Sequence, residues 1–349
     1  MCAFHSFRCV TLVLRFLCLS LLCVSSISLA ADSMSLLKKI PAVKSDIADH
    51  QLLTSVGIIE DKLVTVGAYG HILVSQDNGE SWQQANVPVN LLLTGVHFPT
   101  KQHGWVVGHE GVILHSADGG MNWELQHANP MREISDEEYD NMSDADFAKL
   151  PQLGAPILDV HFNNEQVGFV VGAYGLFLCT TDAGKNWEDC ADRIDNADGW
   201  HLNAIADNGG GVLYIAGEKG MAFRSDDNGE NWEAMEVPYE GSFFGVLPLK
   251  QSDEVIIFGL QGKTFRSTDR GKSWSKVSHN AKTGIMDGVQ TNQNDVILVG
   301  NSGAILVSSD RGAAFSLKTL KSRRHIVSAV SLSNGKQLMV GQGGVIHSQ

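Results

Sequence analysis

Val66-Gly67-Ala68-Tyr69-Gly70-His71-Ile72-Leu73-Val74-Ser75-Gln76-Asp77-Asn78-Gly79-Glu80-Ser81-Trp82 decides the fold, because its skeleton returns along the rest of the chain. Gly-x-x-Gly pairs recur at Gly67/Gly70, Gly108/Gly111, Gly172/Gly175, Gly217/Gly220, Gly259/Gly262, Gly300/Gly303 and Gly341/Gly344. In the first six copies a Ser or Thr, an Asp, a Gly and an aromatic follow at fixed distances, an Asp-box: Ser75-Asp77-Gly79-Trp82, Ser116-Asp118-Gly120-Trp123, Thr180-Asp182-Gly184-Trp187, Ser225-Asp227-Gly229-Trp232, Ser267-Asp269-Gly271-Trp274 and Ser308-Asp310-Gly312-Phe315. Successive first glycines are 41, 64, 45, 42, 41 and 41 residues apart. A period near forty marks an array of supersecondary units, and it is the size of four short strands with tight turns.

Leu63-Val64-Thr65-Val66 before the glycine pair and Ile72-Leu73-Val74 after it read as two strands of a hairpin. No unit carries ten or more residues of 3.6 periodicity, so a helical array is excluded. Upstream of each anchor lies an innermost strand: Leu53-Thr54-Ser55-Val56, Thr94-Gly95-Val96, Leu158-Asp159-Val160, Asn203-Ala204-Ile205, Phe244-Gly245-Val246, Asp287-Gly288-Val289 and Ser328-Ala329-Val330. Small and polar residues alternate there with aliphatic ones, as suits a narrow central channel. The expected fold is all-β, a seven-bladed β-propeller with Asp-box turns. The seventh unit ends at Gln349 before its Asp-box, and Leu36-Leu37-Lys38-Lys39-Ile40-Pro41-Ala42-Val43 resembles the outer strand of the first unit. An N-terminal outer strand is therefore expected to complete the last blade and close the ring.

The recurring acids Asp77, Asp118, Asp182, Asp227, Asp269 and Asp310 read as structural, since an Asx side chain in a turn bonds to its own loop and needs no metal or substrate. No Gly-x-Ser-x-Gly, Walker loop or Cys-x-x-Cys occurs, and the histidines, His97 and His161 included, lack metal-site spacing. No catalytic residue, metal or cofactor is expected.

Residues 1–30 read as a secretory signal peptide, with Arg8 and Arg15 before an apolar run and Ser28-Leu29-Ala30 at the cleavage site; a retained anchor helix is the alternative. Residues 31–349 then form one propeller. Without the signal, 24 basic residues face 39 acidic ones, which argues against nucleic acid and against docking on anionic lipid. No second apolar segment follows, so no direct membrane insertion is expected after cleavage, and the location is exported. Cys179 and Cys190 flank one Asp-box turn. An export signal favours a disulfide between them, and two buried free thiols are the alternative.

The 64-residue step holds an insertion at about 127–155, in which Ser135…Glu138 and Ser143…Asp146 read as helix caps. It joins blade 2 to blade 3 on the face of the Gly-x-x-Gly turns, where insertions in repeat arrays often bind partners; a solvated acidic flap is the plainer reading. On that face Tyr69, His109, Glu110, Tyr174, Glu218 and Lys219 sit between the glycines of neighbouring blades, and this mixture of aromatics and charge suits a protein interface.

The unit Val-Gly-x-x-Gly-x-Ile-x-x-Ser-x-Asp-x-Gly-x-x-Trp, clearest over Val66–Trp82, Val107–Trp123 and Val171–Trp187, resembles the BNR-type repeat of the photosystem II stability/assembly factor family over essentially all of residues 31–349. The resemblance implies a non-catalytic, chaperone-like scaffold holding a membrane-protein complex or its assembly intermediate, located in a periplasm or, in a photosynthetic organism, a thylakoid lumen. Photosynthetic members present an arginine-rich patch; here eight arginines are spread over Arg132, Arg193, Arg224, Arg266, Arg270, Arg311, Arg323 and Arg324. The alternative is a sialidase-like glycoside hydrolase or carbohydrate-binding propeller, whose Asp-boxes are similar. Such enzymes use an arginine triad, a Tyr nucleophile with a Glu, and an Asp acid/base. Their Arg-Ile-Pro motif corresponds here to Lys39-Ile40-Pro41, and Lys lacks the bidentate fork that grips a carboxylate.

Overall fold

The computed structural model describes residues 40–131 and 134–347. The expected signal peptide and Leu36–Lys39 of the expected closing strand lie outside them. Seven antiparallel sheets stand around one axis as a seven-bladed β-propeller. Blade 1 runs outward through Leu53–Ile59, Lys62–Gly67, Ile72–Ser75 and Gln83–Gln84. Blades 2 to 6 repeat that order from inner strands Leu93–His97, Ile157–Phe162, Leu202–Asp207, Phe243–Pro248 and Ile285–Gln290. Blade 7 has three strands among the described residues, Ile326–Ser331, Gln337–Gly341 and Gly344–His347. Each inner strand packs on the next, and that of blade 7 packs on that of blade 1.

Side chains follow the radial position of their strand. The second strands, such as Gly104–Gly108 and Val255–Gly259, are buried at every residue. Both of their faces meet a neighbouring blade, which is why they read as continuous aliphatic runs rather than alternating ones. Outer strands such as Glu188–Asp189 and Ser275–Lys276 are exposed and polar. The core is thus a set of apolar seams between blades. Phe169, Phe177, Phe223 and Trp232 form one of them, beside Cys179 and Cys190, which are joined in a disulfide.

In blades 1 to 6 the third strand ends in a hydroxyl that builds the following turn. Ser75 Oγ accepts the amide of Gly79 at 2.8 Å and donates to Asp77 Oδ1 at 2.8 Å. The same Asp77 oxygen accepts the amide of Ser81. The five other copies repeat the amide-to-hydroxyl bond at Gly120, Gly184, Gly229, Gly271 and Gly312. The aromatic also has a polar role: the indoles of Trp82, Trp123, Trp232 and Trp274 donate to the glycine carbonyl of their own turn.

The residue between Asp and Gly is left-handed in every copy, with φ of 60° at Asn78, 74° at Gly119, 64° at Ala183, 61° at Asn228, 61° at Arg270 and 58° at Arg311. This turns its carbonyl toward the preceding blade, whose side chain takes it. Lys62 Nζ reaches Gly119 O, Gln126 Nε2 reaches Ala183 O, Asn163 Nδ2 reaches Asn228 O, Arg224 Nη1 reaches Arg270 O, and Arg266 Nε reaches Arg311 O. Five successive blade pairs are tied in this way.

Residues 40–50 join the ring where blades 7 and 1 meet. The described part of the expected strand, 40–43, does not pair with Gly344–His347. Ala42 N donates instead to Val87 O of blade 1 at 3.1 Å, and Lys44 Nζ donates to Gln84 O and Ala85 O. Blade 1's own outer strand has two residues, and the incoming segment adds hydrogen bonds to the backbone that follows it. The chain then forms a 3-10 turn, Ala48–His50, against the last strand of blade 7. Ala48 joins Leu53, Leu63, Leu73, Leu332, Leu338 and Val340 in the apolar seam between blades 7 and 1.

Two glycines with left-handed backbones test the inter-blade packing. An added Cβ at Gly229 (φ +93°) would lie 2.2 Å from Phe169 Cζ of blade 3, whereas at Gly209 (φ +73°) it would meet nothing within 4 Å. Gly209→Ala should cost about 1 kcal/mol from backbone strain. Gly229→Ala should cost about 1–3 kcal/mol more from overpacking. Thermal unfolding followed by circular dichroism reads the difference, and equal losses would contradict the packing described.

Candidate functional site

The Gly-x-x-Gly turns crowd one face of the ring. The first glycine is required by contact, since a Cβ on Gly67 would sit 2.1 Å from Leu52 O. The residue before the second glycine is left-handed although it is not glycine: Tyr69 (φ 60°), Glu110 (56°), Tyr174 (56°), Lys219 (55°), Gln261 (57°) and Ser302 (58°). Each such residue carries about 1 kcal/mol or more of backbone strain, and strained positions that recur together are characteristic of functional surfaces.

Several of these side chains form one cluster across blades 3 and 4. Tyr174, 48% exposed, meets His201 edge to face with ring centroids 5.1 Å apart. Glu218 Oε2 accepts the His201 amide at 3.3 Å. Lys219 Nζ lies 5.1 Å from the centre of the Trp200 ring, and Trp200 Nε1 donates to Asp198 Oδ2. Trp200 and His201 lie outside the glycine pairs from which the sequence candidates come. A usable signal existed: Trp200 is a loop tryptophan outside the repeat position.

The other candidates lie apart from that cluster. Tyr69 is 59% exposed on blade 1, with His71 as its ring neighbour at 5.8 Å. Glu110 is committed to the insertion, where its Oε2 accepts the amide of Met131 at 2.6 Å. His109 is exposed beside it. The insertion contains two helices, Asp136–Asp140 and Asp144–Lys149, the second capped by Ser143, whose Oγ accepts the amide of Asp146. Its base is clasped by Gly154 N donating to Asn129 O and by Gly111 N donating to Ala155 O. Gln152 Nε2 donates to Tyr174 O, which brings the insertion to the edge of the aromatic cluster.

Below this face runs the central channel, with a cavity of about 440 Å³ lined by Thr54, Thr94, Leu158, Asn203, Phe244 and Met286 among others. Its polar side chains tie adjacent inner strands together: Thr54 donates to Leu93 O, Thr94 to Ile157 O and Asn203 to Phe243 O. Two aspartates do the same by accepting. Asp159 takes the amide of Ile205, and Asp287 takes the amide of Ala329 and the hydroxyl of Ser328. Burial, with a smaller contribution from the charge of Asp287, pushes the Asp159 carboxyl up to about 7, and burial raises Asp287 as well. The turn carboxylates behave oppositely. Asp77 is pulled down to about 2 by the hydrogen bonds of Ser81 and Ser75, and Asp269 to about 2 by those of Ser273 and Ser267. All six turn carboxylates are engaged within their own loops rather than gathered in a common cleft.

The family model described as photosynthesis system II assembly factor YCF48 matches residues 74–149 and 142–277. The photosystem II assembly lipoprotein Ycf48 of Synechococcus sp. (strain CC9902) is 24% identical over 189 residues, 53% of this chain and 50% of that one. The photosystem II stability/assembly factor HCF136 of Oryza sativa subsp. japonica is 25% identical over 170 residues, 47% of this chain and 40% of that one. The chain therefore spans half or less of the length of these curated relatives. Among solved structures, YCF48 bound to D1 peptide superimposes with a TM-score of 0.63 at 18% identity, covering 88% of this chain and 97% of that one. The WD40 β-propeller domain of Doa1 gives 0.62 at 10% identity, covering 88% and 95%, so the structural likeness speaks for the fold alone.

Asp159 yields a pH test. Its raised value means that the folded chain keeps a proton which the unfolded chain gives up above about pH 4, so this group's contribution to stability falls as pH rises from about 4 to about 7. Asp159→Asn should therefore gain Tm relative to the parent across that window, by several degrees, and hold a constant difference above it. Paired melts from pH 4 to 8 read this, and a difference independent of pH would show that Asp159 titrates as an ordinary exposed carboxyl.

Proposed function

The chain belongs to the photosynthesis system II assembly factor YCF48 family, and from that premise we propose that it is an exported, non-catalytic scaffold holding a protein segment against its Gly-x-x-Gly face. The client is a membrane-protein complex or its assembly intermediate, met in a periplasm or a lumen. The observation that carries this reading is the division between the two ends of the ring. At one end the recurring carboxylates are engaged inside their own turns. At the other, six left-handed residues and the insertion between blades 2 and 3 present aromatic and charged groups.

Two further findings support the reading. Curated relatives bear names of photosystem II assembly factors, and a relative of the same fold is YCF48 bound to D1 peptide. An interface of this kind draws most of its energy from a few aromatic and charged anchors. Tyr174 with His201, and Lys219 with Trp200, are groups of that type.

Affinity purification of the tagged protein from its source cells, with identification of co-purifying subunits, tests the proposal. The intact chain should retain a membrane-protein client that is lost on deletion of residues 129–152. Tyr174→Ser should weaken capture by about 2 kcal/mol, roughly thirtyfold in Kd, with Tm unchanged. Identical partner lists for the intact and deleted chains would overturn the assignment.

A further inference from the structure

We propose that the insertion between blades 2 and 3 is a receptor for a cationic amphipathic segment of the client, gripped by an aromatic pair set among carboxylates. This rests on the preceding reading in that the client is a protein. The helix Asp136–Asp140 reads Asp-Glu-Glu-Tyr-Asp, with four acids and no base. The helix Asp144–Lys149 adds Asp144 and Asp146. Lys149, the one base in the two helices, pairs with Asp189 of blade 3 at 2.9 Å and so anchors the insertion instead of neutralising it.

Between these acids stand Tyr139 and Phe147, 52% and 51% exposed. Their rings meet edge to face at 5.7 Å and 70°. They touch each other, and neither belongs to the apolar seams of the ring. Helices of one turn have little stability of their own and normally persist by burying an apolar face. Here the base of the insertion is clasped to the blades while that face remains open. An exposed aromatic pair rimmed by charge of one sign matches an interface core and its polar rim. The rim selects the occupant. Carboxylates attract Lys and Arg flanking an apolar row, and the formal charge of −13 on the chain steers the same partner from a distance. A second copy of this chain would bring acids against acids, and an anionic lipid surface would be repelled.

The probe is a labelled amphipathic helix peptide built of Lys and Leu, compared by fluorescence anisotropy with one of the same pattern built of Glu and Leu. The full-length mature protein should bind the Lys/Leu peptide at least about tenfold more tightly, and added salt should weaken that binding. Tyr139→Ser with Phe147→Ser should lose about tenfold or more, and Phe147→Tyr should retain binding. Asp136→Asn with Asp140→Asn and Asp144→Asn should also lose about tenfold. Glu80→Gln with Glu230→Gln, which neutralises exposed acids on the opposite face, should change nothing. Equal binding of the two peptides, indifference to the insertion substitutions, or an equal loss on neutralising the opposite face would each overturn the inference. If deleting residues 129–152 abolishes client capture while these substitutions leave it intact, this inference falls and the proposed function stands. If the deletion leaves capture intact, the proposed function itself falls.

Discussion

A hydroxyl at the end of a strand, holding an amide four residues on and a carboxylate two residues on, organises most of this molecule. Ser75 with Gly79 and Asp77 shows the arrangement, and five further turns repeat it. The bond is local, but its consequence is not. By fixing a left-handed residue between Asp and Gly, it directs that residue's carbonyl out of the turn and into reach of the preceding blade. The geometry inside a blade thereby decides how the blade couples to its neighbour, and no apolar contact between blades could set direction so sharply. The buried second strands and the aromatic residues fill the seams once that relation is established.

Much of the architecture was legible because it is written in spacings shorter than twenty residues. The glycine pair, the turn hydroxyl, the carboxylate and the aromatic lie within one hairpin and its turn, so their chemistry can be read without knowing the tertiary structure. The caps at Ser135 and Ser143 are equally local, and helices begin beside both. What was not legible depends on distant partners. Lys62, Gln126, Asn163, Arg224 and Arg266 occupy different positions in their blades and serve acceptors 45 to 65 residues away. Residues 40–43 resemble an outer strand in sequence, yet Ala42 and Lys44 bond to Val87, Gln84 and Ala85 of blade 1, partners some forty residues away. One local signal went unused: the residue four after each turn aspartate is Ser or Asn in five copies, and in each of these it bonds the second carboxylate oxygen.

The candidate site was legible in kind more than in membership. Tyr174, Glu218 and Lys219 are drawn together, but through Trp200 and His201, which precede an inner strand and carry no repeat signature. Glu110 supports the insertion, and Tyr69 stands on another blade. The channel aspartates, Asp159 and Asp287, belong in sequence to the small and polar residues of the inner strands. In the fold each bridges to the following blade, a role that only the closed ring creates.

The five links that reach an Asp-box turn from the preceding blade all end on a main-chain oxygen, never on a particular side chain. A lysine, an amide of either length and two arginines therefore serve interchangeably, at different positions, without any matching change in the residue they meet. Duplicated units that couple through such an acceptor can drift apart in composition while the assembly keeps its shape. This frees the opposite rim to diversify blade by blade, and a single lineage of such rings can acquire new clients without renegotiating how its parts adhere.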